Sequence, residues 1–290
     1  MAKSPANMAA SVRQRLLNLA KKEQQVFDVV LVAYGLERLV HRLAQSEYRD
    51  RFVLKGGLLV TLWTVDFNSG RFTRDADFLG MGSADEDSLK EAFTEILKIE
   101  SDDGLVFDTA ELTAAAIRED QIYGGMRLKT KAYLEKTVIN ITIDIGFGDA
   151  MAQPEHTIDY PSLLDHTTTT IRAYSPATVI AEKFQAVVAL GEVNGRMKDF
   201  YDLWAIPQAQ EISDEDLAAA IEATFKRRET DIPTECPVAF TTAFTQDTDK
   251  LAQWRAYAAT IDIDETELSE LTETIWQRLD PICKRLTTQT

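Results

Sequence analysis

The sequence predicts an α/β chain, with a mixed β-sheet in its N-terminal part followed by a mainly helical C-terminal part. Between residues 52 and 146, short apolar stretches alternate with glycine turns and polar loops, a pattern typical of strands. Beyond residue 175, apolar residues recur at helical spacing. We therefore expect an N-terminal domain with leading helices at residues 1–155 and a helical domain at residues 170–290.

Length and composition indicate a folded protein with one large domain or two modest ones. The chain has 290 residues, of which 45% are hydrophobic, so a substantial core is expected. It has no apolar run long enough to cross a membrane, and its N-terminal residues lack the apolar centre of a signal peptide. We therefore expect a cytoplasmic protein with no membrane partner. The two cysteines, Cys236 and Cys283, lack the spacing of a zinc site or a disulfide framework.

The chain is acidic overall, but its charges are unevenly distributed. The formal net charge is −16, which opposes nucleic-acid binding unless the basic residues are clustered. Residues 1–55 hold ten basic and five acidic side chains, whereas residues 205–290 hold eight basic and seventeen acidic ones. A nucleic-acid partner is therefore permitted, although the composition does not require one.

The stretch from residue 52 to residue 80 predicts a strand, a glycine turn, a helix and a second strand. The first strand ends at Lys55-Gly56-Gly57, and the second carries Asp75 and Asp77. Residues two apart on a strand face the same way, so the two carboxylates lie side by side, as a magnesium site requires. The glycine pair lets backbone N–H groups approach an anion at a helix start. Taken alone, each feature is also common at a solvated strand edge or in an ordinary turn.

Three further short strands are predicted at residues 104–108, 114–118 and 126–133. The last of these carries Arg127, Lys129 and Lys131 on one face. This basic row is either a solvated strand surface or a contact surface for the phosphates of a nucleotide or an RNA.

The clearest strand pattern runs from residue 138 to residue 146. Isoleucines occupy every second position there, so one face of the strand belongs to the core. Asp144 lies at the polar end of the other face. It is either a solvated aspartate or, beside the strand with Asp75 and Asp77, the third carboxylate of a two-metal phosphoryl-transfer site.

A segment rich in Thr, Asp and His, residues 154–170, is predicted to be a loop between the two domains. The next helix begins with Ser175 as its N-cap and Pro176 in its first position. Its apolar stripe contains Lys183, whose ammonium group must either extend to water or meet an anion.

The helix that follows places Lys198, Asp199 and Asp202 on its polar side. There Lys198 and Asp202 are four residues apart, so they can form an exposed ion pair. The remaining third of the chain predicts further helices, among them one that Ser213 caps and one at residues 264–285.

Four blocks of the sequence resemble the AbiEii/AbiGii toxin family, whose members have a polymerase-beta-like nucleotidyltransferase fold. The blocks are Lys55-Gly56-Gly57, the run from Arg71 to Phe78, the strand with Asp144, and Lys183 followed by Arg196-x-Lys198-Asp199-x-x-Asp202. Together they cover most of residues 50–205. Many nucleotidyltransferases have a serine after the first glycine, where this chain has Gly57, so one hydroxyl contact to a phosphate is missing.

The resemblance implies an enzyme that transfers nucleotides from an NTP with Mg²⁺ or Mn²⁺ as its cofactor. The implied metal ligands are Asp75, Asp77 and Asp144, and the implied catalytic residues add Lys183 and Asp202 to them. The implied nucleotide-binding residues are Lys55, Gly56, Gly57, Arg71, Lys183, Arg196, Lys198 and Asp199.

The resemblance also implies a physiological setting. The chain would be the toxin of a type IV toxin–antitoxin pair, neutralised by a cognate antitoxin that is encoded nearby. Its acceptor would be the 3′ end of tRNA or another RNA, and the transfer would block translation and growth. Two other interpretations stay open. The net charge of −16 slightly favours a small-molecule or protein hydroxyl as the acceptor, and the missing serine favours a non-catalytic NTP-binding module.

Overall fold

The computed structural model describes residues 5–64, 72–117, 124–153, 156–263 and 265–288. The chain divides into two compact units. Unit 1 comprises Met1–Leu62, Phe72–Gly148 and Glu155–Ala173, and unit 2 comprises Trp63–Arg71, Asp149–Pro154 and Tyr174–Thr290. Unit 1 contains a mixed sheet and unit 2 is helical, so the predicted α/β fold class is confirmed.

The sheet of unit 1 has six strands among the described residues. They are β1 (Phe52–Lys55), β2 (Asp75–Gly80), β3 (Leu105–Phe107), β4 (Thr113–Ile117), β5 (Gly125–Leu134) and β6 (Thr137–Phe147). Their order is β1-β2-β6-β5-β3, and β4 also pairs with β5. The β2–β6 pair is parallel and the other pairs are antiparallel, so the sheet is mixed as predicted.

Helices pack against one face of the sheet of unit 1. The helices of unit 1 are α1 (Pro5–Lys22), α2 (Phe27–Gln45), α3 (Gly57–Thr64, which ends in unit 2) and α4 (Glu86–Lys98). The predicted isoleucine face of β6 is buried, and α2 comes close enough that a Cβ on Gly35 would lie 2.8 Å from Ile141 Cδ1. Phe93 of α4 packs its ring 5.0 Å from that of Phe52. The opposite side-chain face of β5 and β6 is partly exposed, and we call it the open face.

A buried ionic cluster fixes α2 to the segment before β3. Asp103 accepts hydrogen bonds from Arg38 Nε at 2.9 Å and from Arg42 Nη1 at 2.6 Å, and all three side chains are buried. Burial alone would raise the pKa of Asp103, but the hydrogen bonds and charge of Arg42, with the hydrogen bonds from the Leu105 N–H and Arg38, hold it below its ordinary value. The carboxylate is therefore ionised, and removal of either arginine would leave it poorly compensated.

The segment predicted to be a loop between the domains contains a second sheet. Strands β7 (Thr157–Tyr160) and β8 (Thr169–Arg172) pair in antiparallel fashion, and Ala173 forms a parallel bridge with Leu54 of β1. The loop prediction for residues 154–170 was therefore wrong over these strands. Threonine-rich sequence resembles a polar loop in composition, although the β-branched side chain of threonine favours a strand.

Unit 2 is built from helices around an aromatic core. The helices are α5 (Pro176–Leu190), α6 (Met197–Ala209), α7 (Asp214–Arg227), α8 (Thr242–Thr245), α9 (Thr248–Ala258) and α10 (Leu268–Thr288). The predicted caps are confirmed, since Ser175 accepts from the Thr178 N–H and Ser213 from the Asp216 N–H. The core rings are those of Phe184, Phe200, Phe225, Phe240 and Phe244. Within the described ranges, every helix is too short or too polar to span a lipid bilayer.

Candidate active site

Strand register brings three carboxylates together on the open side of the sheet. The parallel pairing of β2 and β6 aligns Asp77 with Asp144, and Asp75 lies two residues before Asp77 on the same face. Each of the three offers an oxygen within 4.8 Å of the oxygens of the other two. We call Asp75, Asp77 and Asp144 the carboxylate cluster. The sequence predicted the three as metal ligands, and the structure places them close enough for that role, which stays a prediction.

The glycine pair positions one of these carboxylates. Gly56 has φ of +69°, a conformation that favours glycine, and a Cβ there would overlap the Asp77 carboxylate. The N–H of Gly57, at the start of α3, donates to Asp77 Oδ2 at 3.2 Å. Any side chain at Gly56 would therefore displace Asp77 from the cluster.

The crowding of like charges has an electrostatic consequence. Burial raises the pKa of Asp77, the carboxylates of Asp75 and Asp144 raise it too, and the Gly57 N–H and Lys55 lower it, so that the net pKa is about 6. Burial is the largest cause of this shift, and the repulsion from Asp75 and Asp144 adds to it. A divalent cation would offset this repulsion, and an all-carboxylate ligand set suits Mg²⁺ or Mn²⁺.

The basic row on β5 is less available than the sequence suggests. Arg127 donates from Nε and Nη2 to the two oxygens of Asp144, at 2.7 and 2.6 Å, so it contacts the carboxylate cluster directly. Lys131 Nζ pairs with Glu111 at 2.6 Å. Lys129 is exposed and has no ion pair within the described part of the chain. The RNA-binding role of these three residues stays a prediction, and it now depends mainly on Lys129.

Thr73 occupies the space beside Gly57. A Cβ on Gly57 would lie 2.8 Å from Thr73 Oγ1 and 2.9 Å from Thr73 Cβ, too close for any side chain there. The Thr73 hydroxyl bonds the carboxylate of Asp75. The structure thus places a threonine hydroxyl next to the position where many nucleotidyltransferases have serine. Thr73 belongs to the Arg71–Phe78 block of the family resemblance, but no role was predicted for it from the sequence.

The candidate residues of unit 2 form an ion cluster of their own. Lys183 Nζ lies 2.9 Å from Asp199 Oδ1 and 2.7 Å from Asp202 Oδ2. Only 13% of the Lys183 side chain is exposed, and both aspartates are buried. The exposed Lys198–Asp202 pair was therefore a wrong prediction, as was the alternative that Lys183 extends to water. Asp199 and Asp202 lie on the buried side of α6, where Lys183 of α5 pairs with both of them.

Charge in this cluster favours the ionised lysine. Burial alone would lower the pKa of Lys183, but the carboxylates of Asp202 and Asp199 outweigh burial and raise it above its ordinary value. Arg196 Nε lies 2.7 Å from the second oxygen of Asp199, and Lys198 is exposed. Arg71, another predicted nucleotide contact, lies outside the described residues.

The mixed sheet and its carboxylate cluster, with a glycine turn at a helix start, are compatible with a metal-dependent enzyme of phosphoryl or nucleotidyl transfer. The family described as "Nucleotidyl transferase AbiEii toxin, Type IV TA system" matches residues 38–280. The chain belongs to this family, so the sequence resemblance is confirmed. It is a toxin nucleotidyltransferase, and membership of a type IV toxin–antitoxin family implies an antitoxin partner.

Two solved structures from Helicobacter pylori are similar to the chain, each at 15% identity with a TM-score of 0.48 and coverage of 90% of this chain. One is JHP933, of which 94% is covered, and the other is a predicted nucleotidyltransferase, of which 97% is covered. None of the curated proteins matches the chain. The assignment therefore comes from the family match.

The crowded carboxylates should make the metal-free protein sensitive to pH. The folded-state pKa of Asp77 is raised to about 6, so its contribution to stability is full below its unfolded pKa and is lost as pH rises through about 6. We expect Asp77→Asn to remove this loss. Near neutral pH, the free energy of unfolding of the variant should exceed that of the parent by roughly 1–3 kcal/mol. Thermal unfolding between about pH 4 and pH 8 with a chelator present measures the difference.

Glu91→Gln, on the exposed surface of α4, is the matched control and should follow the parent. Added Mg²⁺ or Mn²⁺ should make the parent more stable than Asp77→Asn, because a cation stabilises the protein that keeps all its ligands. Parallel pH profiles for the parent and Asp77→Asn would contradict this electrostatic account.

The contact between Gly57 and Thr73 predicts a reciprocal pair of substitutions. Gly57→Ser alone should destabilise the protein by about 1–3 kcal/mol and abolish transfer, because the new side chain overlaps Thr73. Thr73→Gly removes Oγ1, Cβ and Cγ2, the three atoms that a side chain at residue 57 would meet, so the double variant should recover most of the loss in stability. A double-mutant cycle of melting measures this coupling. Strictly additive effects would show that the two positions do not share this space.

The ion cluster of unit 2 predicts a large cost for removing its cation. Lys183→Met leaves two buried carboxylates without their cation, so we expect a loss of about 3–5 kcal/mol in the free energy of unfolding. Lys198→Met removes an exposed lysine from the next helix and should leave stability unchanged. Chemical denaturation of both variants measures the effect. Equal stability of the two variants would mean that Lys183 contributes nothing to the fold.

Proposed function

We propose that this chain transfers a nucleotide from an NTP to the 3′ end of an RNA, with tRNA as the first candidate acceptor. The transfer would block translation and growth, and a cognate antitoxin encoded nearby would prevent it. The observation that supports this proposal most strongly is the carboxylate cluster at the parallel β2–β6 pair in a chain of the AbiEii family. The reaction would take place in the cytoplasm, without a membrane partner.

We assign the metal site to Asp75, Asp77 and Asp144. Their oxygens fit a shared cation because they lie within 4.8 Å of one another, and Asp75 and Asp144 both add to the raised pKa of Asp77. Bound Mg²⁺ or Mn²⁺ would neutralise the triphosphate and lower the pKa of the attacking hydroxyl. Each oxygen of Asp144 accepts one bond from Arg127 and keeps a second lone pair for a metal.

The remaining roles belong to the chain's own groups. We assign Lys55, Gly56 and Gly57 to the nucleotide phosphates, since α3 begins at Gly57 and a helix start favours an anion. Arg71 keeps its proposed nucleotide role. Thr73 orients Asp75 through its hydroxyl, and the Gly57 N–H orients Asp77, so both carboxylates are positioned before any ligand binds.

Residues of the helical part, which we predicted at 170–290, also enter the proposal. Lys183 would neutralise negative charge that develops on the phosphates, since two carboxylates take two of its three donors and leave one for a ligand. Asp202, with Asp199, would hold that ammonium group in place. Arg196 and Lys198, both exposed, would contact the nucleotide.

RNA would contact the open face through Lys129, with Lys131 and Arg127 beside it. At a net charge of −16, affinity for RNA must come from such a local surface. The ion pair of Lys131 with Glu111 is exposed, so a phosphate could exchange with the carboxylate at little cost.

A second candidate function is transfer to a small-molecule or protein hydroxyl. The overall charge of −16 favours it, because a neutral acceptor meets no electrostatic repulsion.

Incubation with labelled NTPs, total cellular RNA and cell protein distinguishes these functions. We expect label on RNA in the size range of tRNA, lost by at least about a hundred-fold in Asp75→Asn and retained in Glu91→Gln. Label on protein or on small molecules would contradict transfer to RNA and support the second candidate function. No label with any NTP and either cation would leave a nucleotide-binding module instead.

A further inference from the structure

The open face of the sheet continues beyond the carboxylate cluster along β5 and β6. Paired residues of neighbouring strands project their side chains to the same face, so the register defines successive rows across the two strands. The four rows, in order away from the cluster, are Arg127–Asp144, Lys129–Thr142, Lys131–Asn140 and Tyr133–Val138.

The row farthest from the cluster is apolar. Val106 of β3 pairs with Tyr133, which pairs in turn with Val138, so the tyrosine lies between two valines. Val106 is 66% exposed and Val138 is 50% exposed. The Tyr133 hydroxyl donates to Asp108 Oδ2 at 3.3 Å, which restricts the orientation of the ring. The two exposed valines and the aromatic ring between them form an apolar surface patch that a ligand could cover.

Distance and chemistry along the face suit an extended nucleic-acid strand. Rows two residues apart are separated by about 7 Å, so Val138 lies roughly 20 Å from Asp144. The separation of about 7 Å between neighbouring rows is comparable to that between successive phosphates in an extended single strand. Polar and basic side chains occupy the two intermediate rows, where a backbone would pass. An apolar row then follows, where a base could stack.

We infer that Val106, Tyr133 and Val138 form a stacking platform for one base of a single-stranded 3′ end. The base belongs to the nucleotide about three positions before the reacting end, as the row count requires. Proteins that bind single strands combine a basic path for the backbone with aromatic and apolar surfaces for the bases. Lys129 and Lys131 supply the path, and the three-residue platform supplies the surface.

This inference rests on the proposed transfer to RNA and specifies how the acceptor lies. It makes the enzyme dependent on the length of the acceptor's unpaired tail. A short tail reaches the cluster but not the platform, whereas a tail of about four nucleotides reaches both. The platform is a binding surface away from the reacting atoms, so it should affect the KM for the acceptor and leave kcat unchanged.

The test uses the full chain and a set of RNA hairpins with 3′ tails of about one to eight nucleotides. For the parent, we expect the KM for the acceptor to fall on the order of ten-fold up to about four nucleotides and to remain constant beyond that. The double variant Val106→Glu/Val138→Glu should lose this gain at unchanged kcat. Val193→Glu, at a valine of unit 2 that is 80% exposed, is the matched control and should behave as the parent.

Both valines are exposed, so the charged substitutions should fold, and melting temperatures verify this. Val106→Ser/Val138→Ser is the alternative pair should they not. A parent that labels RNA while the double variant keeps the same tail-length dependence would overturn the platform and leave the proposed function intact. A parent that labels no RNA would overturn both. Loss of antitoxin binding in the double variant, with tail dependence unchanged, would make this row a protein-docking surface and overturn the inference.

Discussion

Strand register in unit 1 holds three like charges together at one point of the sheet. The parallel register of β2 and β6 places Asp77 opposite Asp144, and the pleat places Asp75 on the same face. Burial and the crowding of like charges raise the pKa of Asp77 and so oppose its ionisation. Neighbouring groups offset part of the cost, through the bidentate bond from Arg127 and the N–H of Gly57. The three carboxylates are therefore held together at some cost in stability, which a bound cation would relieve.

In unit 2 the balance of charges is different, because one ammonium group lies between two buried carboxylates. Lys183 lies between Asp199 and Asp202, and Arg196 partly compensates the remaining charge on Asp199. Such a cluster stabilises the helix pair only while it is complete, because any single deletion leaves a buried charge. A loss of activity on mutation of these residues must therefore be interpreted together with the melting temperature.

Local pattern predicted the elements that carry the site, and long-range pairing decided how they meet. The alternating isoleucines of β6 and the Ser175 cap were readable because each depends on neighbouring residues alone. The bond of Arg127 to Asp144 depends on strand register, which no single strand encodes. Asp202 was placed on the wrong side of its helix because periodicity sorts residues by polarity and cannot see a buried partner on another helix. The β7–β8 pair was missed because threonines suggest a loop by composition.

The central claim is that Asp75, Asp77 and Asp144 together bind the divalent cation of nucleotidyl transfer. Anomalous diffraction from a crystal of the protein with Mn²⁺ and a non-hydrolysable NTP analogue tests it most directly. The account predicts manganese peaks within direct coordination distance of carboxylate oxygens of all three residues, and no such peaks in a crystal of Asp75→Asn grown under the same conditions. Manganese bound elsewhere in the parent, with the three carboxylates free of metal, would contradict it.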